Sequence, residues 1–182
     1  MWSSVGSAGT LDPSSVGKIL FDGAIAQLGV GLGGVVVAAS ARTEARTEAA
    51  GRVFFPTISA TIRYAVTAPD GIDGVDSYKV ALQLRYRSGD GQVIATLFQV
   101  PMPVVPNDPG SVIETPLNQY DSNIYGGPVD TFQNGDVGNL VPGHIIDFTN
   151  NVYYVAVTLI APNRPILSVP PAVAAIRLFS SF

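Results

Sequence analysis

"YKVALQLRYRSGDGQVIATLFQV", residues 78–100, holds two runs of alternating character on either side of a Ser-Gly-Asp-Gly break. In the first run, Tyr78, Val80, Leu82, Leu84 and Tyr86 fall on one side, and Lys79, Gln83, Arg85 and Arg87 on the other. A period of two belongs to a strand with one face in a core and one in water. The break reads as a hairpin connection into 92–100, because Asp-Gly supplies the positive φ that such turns need.

The same period extends outward from this pair. Ile62, Tyr64 and Val66 alternate with Thr61, Arg63 and Ala65, and Tyr153, Val155, Val157 and Leu159 alternate with Tyr154, Ala156 and Thr158. Residues 173–179 predict a closing strand, and 16–28 an opening one. Shorter strands are expected at 52–55 and 111–115, with 145–148 leading into the 152–160 run. Proline-rich connections interrupt at 101–109 and 162–171, and 116–143 is the longest irregular stretch.

"ARTEARTEA", residues 41–49, poses the period question most sharply. As a helix it would stack Arg42 on Arg46 and Glu44 on Glu48, both like-charge contacts. As a strand it presents one row of alternating sign, and Val35-Val36-Val37 just upstream favours the pleated form. A strand over 35–49 is expected, joined to the first by a glycine-rich turn at 29–34.

No segment offers an amphipathic helix. Roughly eight to ten strands with Gly/Pro connections predict an all-β, antiparallel β-sandwich of jelly-roll or immunoglobulin-like kind. At 182 residues one domain is expected, over 16–182, preceded by an N-terminal arm over 1–15.

Composition narrows the functions. Charged residues make up 13% against roughly 25% in a typical domain, while hydrophobic residues reach 47% and mean hydropathy is +0.31. So little charge suggests a surface partly covered by copies of the same chain or by a ligand. The net charge of -4 and the lack of any Lys/Arg run argue against nucleic-acid binding. Without cysteine there is no disulfide, thiolate zinc site or Cys nucleophile. Residues 23–41 carry no charge and end in a signal-peptidase-like Ala39-Ser40-Ala41. Asp12, Asp22 and five internal glycines fit a buried strand pair better than a leader or membrane span.

The candidate chemistry is sparse. Gly29-x-Gly31-x-x-Gly34 matches the dinucleotide fingerprint by letter, but a valine run follows where a helix is required. Asp70, Asp73 and Asp76 sit on one glycine-loosened loop and are weak candidates for calcium, at a spacing unlike the EF-hand. His144 is the only histidine, which excludes a histidine metal cluster. No G-x-S-x-G elbow is present, and a backbone-bonded loop histidine is expected rather than a base.

Tyr120, Asn123, Tyr125 and Phe132 combine aromatic faces with amides, the ingredients of a carbohydrate-binding surface. Trp2, Phe179 and Phe182 are large apolar groups near the two ends and are candidate subunit-interface anchors. The expectation is a non-catalytic subunit without cofactor that self-assembles into a filament, shell or surface layer. An extracellular, cell-surface or particle-surface setting suits it. The alternative is a carbohydrate- or other ligand-binding module.

Overall fold

The computed structural model describes residues 2–5, 9–15, 18–22, 25–28, 57–67, 71–102, 113–126, 130–138, 144–162 and 169–180. The expected strand over 35–49, the 29–34 glycines and the 52–55 run lie outside them, as do Asp70 and Phe182. Eleven strands form among the described residues: β1 (Trp2–Val5), β2 (Thr10–Leu11), β3 (Ile19–Asp22), β4 (Ile25–Leu28), β5 (Thr57–Val66), β6 (Val80–Arg87), β7 (Gln92–Pro101), β8 (Thr115–Asp121), β9 (Gln133–Gly138), β10 (Asn151–Pro162) and β11 (Ala172–Ser180). All but the two-residue β2 reach four residues or more. The one α-helix described is α1 (Ser122–Tyr125).

The strands make two antiparallel sheets. One is ordered β3-β4-β11-β6-β9 with β1 also on β11, and the other β2-β5-β10-β7-β8. Pairing is nested along the chain: β7 with β8, β6 with β9, β5 with β10, and β4 with β11. Most consecutive strands therefore change sheet. The two sheets share one core as a β-sandwich, and the alternation explains it. Val80, Leu82, Leu84 and Tyr86 from β6 meet Ile62, Tyr64, Val155 and Val157 from the other sheet, each 2% exposed or less. Each such side chain contributes roughly 1.5–3 kcal/mol by leaving water.

The hairpin expected at 88–91 is corrected. The turn exists, with Gly91 N–H donating to Ser88 O at 2.9 Å, but β6 lies between β11 and β9 while β7 lies between β10 and β8. The turn is an arch from one sheet to the other. Its positive φ (54°) falls at Gly89, where a Cβ would run into the Val169 backbone. Asp90 clips the arch to Val169 in both directions, N–H to O at 2.8 Å and Oδ2 from N–H at 3.1 Å.

Three further boundaries move. The 16–28 strand is two strands, β3 and β4, paired Ile19↔Leu28 to Asp22↔Ile25. Residues 77–79 form a 3-10 turn, so β6 begins at Val80. The 116–143 stretch contains β8, α1 and β9. In β9 an inward position is Gly135, whose missing Cβ leaves room for the Tyr120 ring, so that strand shows no apolar alternation. The segment expected to be an arm carries β1 on β11 and β2 on β5 of the same chain.

Candidate functional site

The residues that suggested a carbohydrate surface gather at one end of the sandwich but divide in role. Tyr120, on β8, is 2% exposed, and its hydroxyl meets that of Tyr86 at 2.7 Å. Gln133 Nε2 donates to the Tyr86 hydroxyl at 2.5 Å. Burial, then the Tyr86 hydrogen bond, pushes the Tyr120 phenol well above its ordinary value. Tyr120 thus belongs to the core as a satisfied polar group. Tyr125 is 56% exposed and stacks on it, centroids 5.5 Å apart at 27°.

Asp121 starts α1 as its N-cap, Oδ1 accepting from Asn123 N–H at 2.9 Å and from Gln92 Nε2 at 2.8 Å. Asn123, Ile124 and Tyr125 are therefore held outward. Phe132 is half-buried beneath the Arg87 guanidinium, 5.2 Å from its centroid. Of the four, Asn123 and Tyr125 are the exposed ones, Tyr125 with one ring face against Tyr120.

A second place emerges from loops far apart in sequence. Residues 71–79 and 144–147 zip together through Gly74 N–H to Ile146 O (2.7 Å), Ile146 N–H to Val75 O (2.9 Å) and Ser77 N–H to His144 O (2.6 Å). Asp73, Gln99, His144, Asp147 and Asn151 line a cleft of about 360 Å³ beside them. The His144 main-chain carbonyl takes part in this zip, while its side-chain Nε2 is buried without a hydrogen-bond partner among the described residues. Asp147 accepts from Asn150 Nδ2 (2.7 Å), Thr149 N–H (2.8 Å) and Asn150 N–H (3.2 Å). The Asn150 side-chain bond leads in holding its carboxyl below the ordinary range, against a smaller opposing effect of burial. Asp73 accepts from Phe148 N–H at 3.0 Å. Among the described residues no group of three His, Asp or Glu side chains is placed to hold a metal ion. Asp70, the third of the calcium candidates, lies outside the described residues.

The outer face of the five-stranded sheet was not singled out in the sequence. Its central strands β7 and β10 contain no charged residue. Their outward rows pair Thr158 with Ile94, Ala156 with Thr96, Tyr154 with Phe98, and Val152 with Val100. Phe98 and Tyr154 stack at 5.2 Å, and Val152 is 49% exposed. Among the described residues of this face, charge stands at the margin. There Arg63 pairs with Asp12 (2.8 Å) and Glu114 (3.2 Å), and its guanidinium lies 5.0 Å from the Tyr154 centroid. Burial, reinforced by Glu114, pushes the Tyr154 phenol up to about 12.

Of the proposed interface anchors, Phe179 lies half-buried on the outer side of β11, opposite Ala81. The backbone of Trp2 pairs with Leu178 in β1. No family model matches this chain, and no curated protein does.

Proposed function

We propose that this chain is a non-catalytic structural subunit, built on a jelly-roll sandwich, that assembles with copies of itself into a shell, filament or layer. The nested pairing supports the topology: β4, β11, β6 and β9 in one sheet against β5, β10, β7 and β8 in the other is a long hairpin rolled up. The observation that carries the assembly is the uncharged outer face of β7 and β10. A face that opposes its own copy across a two-fold axis meets no like-charge repulsion if it carries no charge, and aromatic side chains there suit a contact core. Its margin of paired Arg63, Asp12 and Glu114 fits the polar rim of such a contact.

Electron microscopy and light scattering of the purified protein test this reading. Ordered polymers or discrete oligomers are expected, and Val152→Lys with Ile94→Lys should disperse them while circular dichroism stays strand-like. A wild-type protein that stays monomeric at high concentration sinks the proposal.

One observation favours a second reading, a carbohydrate-binding module: the exposed Tyr125 ring and Asn123 amide on α1. Glycan-array binding lost in Tyr125→Ala, with no polymer present, would reverse the preference.

A further inference from the structure

On the outer face of the six-stranded sheet, Arg177 of β11 stands directly opposite Gln83 of β6, and Arg85 directly opposite Ala175. The two arginines are thus diagonal neighbours, both exposed, with the methyl side chain of Ala175 beside them. The small alanine leaves a concavity of about 140 Å³, lined by Gln83, Arg85, Asn134, Ala175 and Arg177. Neither guanidinium has an ion-pair or hydrogen-bond partner among the described residues. Asp136, opposite Gln83 on β9, is the nearest acid in the register and forms no ion pair with either. Arg87, two positions along β6, is already engaged by Pro170 O and Phe132.

Two like charges on diagonal positions of one sheet face repel each other, here in a chain with 14 acidic residues against 10 basic. An anion between them removes that repulsion. The donor set decides which kind. Two guanidinium forks with two flanking amides, Gln83 and Asn134, offer more N–H groups than the two oxygens of a carboxylate can use. A tetrahedral oxyanion with several charged oxygens uses them better.

We propose that this concavity is a binding site for a phosphate-type oxyanion, held between Arg85 and Arg177 with Gln83 and Asn134 as amide donors. Net charge, which argued against polyanion binding, averages over the whole chain. The site depends on where the arginines stand.

Titration with inorganic phosphate, followed by NMR of the arginine Nε–H and asparagine amide groups at constant ionic strength, tests the site. Chloride and acetate serve as references. Saturable shifts at Arg85, Arg177 and Asn134 are expected with phosphate. Arg85→Gln or Arg177→Gln should weaken binding about tenfold by removing charge-assisted bonds. Both variants should keep the wild-type circular dichroism, since each relieves a repulsion. An equal response to acetate and phosphate, or undiminished phosphate binding in both variants, overturns the proposal. A 5′-phosphorylated oligonucleotide separates the sources of the group. If phosphate displaces it, the oxyanion can be carried by a polymer; if it does not bind while phosphate does, the ligand is small. In either case the site stands.

Discussion

The hydroxyls of Tyr86 and Tyr120 meet at 2.7 Å inside the sandwich, one from each sheet. Their rings tilt at 58° with centroids 5.3 Å apart. This contact joins the sheets by a hydrogen bond inside the core, with Gln133 as third member, and the buried Asn118 of β8 makes a second such link by donating to Val137 O of β9 at 3.1 Å. Tyr120→Phe should cost only about 1 kcal/mol, because Gln133 still satisfies Tyr86. Gly135→Ala should cost more, about 1–3 kcal/mol by overpacking, since its Cβ would enter the Tyr120 ring. Urea unfolding checks both. Combining Gly135→Ala with Tyr120→Leu should recover part of the loss, and strict additivity would refute the steric account.

Stability should fall on the alkaline side. Tyr64 and Tyr120 are both shifted upward from an ordinary value of 10.0, in each case chiefly by burial. A phenol whose folded pKa is raised leaves stability intact below the unfolded value and removes it as pH climbs above that value. The melting temperature should therefore hold up to about pH 10 and drop beyond it. Tyrosinate absorbance should rise together with unfolding. Independent titration of all tyrosines before the fold is lost would contradict the burial of these two.

Asp147 governs the acid side locally. Its folded carboxyl lies below the ordinary 3.8, so its contribution is present above that value and lost as pH falls through the depressed one. Asp147→Ala should loosen residues 147–150, seen as faster amide exchange at Thr149 and Asn150. The variant should also lack the wild type's change in those amides below about pH 4. Unchanged exchange would show that the turn holds without its carboxylate.

Adjacent residues on β5 should differ sharply. Ile62 is 0% exposed, and Ile62→Ala should cost about 2–5 kcal/mol. Arg63 faces outward with its side chain 43% exposed, and Arg63→Gln should cost about 1 kcal/mol or less, shrinking as salt is added. Comparable losses at the two positions would mean that the strand's faces are misassigned.

Strands that bury alternating apolar side chains were legible from sequence. β5, β6, β10 and β11 sit close to where their period put them, because Ile62, Leu84, Val157 and Ile176 each face the core. β9 was hidden because Gly135 performs its inward role by absence. The 88–91 turn was readable as a turn, yet its local signal carries no information about which sheet receives the next strand. Tyr120 looked like surface because nothing local announces that Tyr86, 34 residues away, will satisfy its hydroxyl. Asp73 and Asp147 come to one cleft through a pairing of loops that neither loop's composition reveals.

The nested pairing has a consequence for synthesis on the ribosome. β10 is the middle strand of its sheet, and β11 has strands on both sides in the other. Both come after every other described strand in the chain. Until they emerge, β5 and β7 have no strand between them, and β4 and β6 likewise. A nascent chain ending near residue 150 can close the local β7–β8 pair but neither complete sheet. Such non-local pairing is slow, because loop closure must precede its reward. Folding is therefore expected only once both have emerged, in one cooperative step, and a fragment of residues 1–150 should remain protease-sensitive while residues 1–182 resist. Until then, the charge-poor strands β5 and β7 lack the neighbour that each has in the folded protein, in the part of synthesis when aggregation is the nearest alternative.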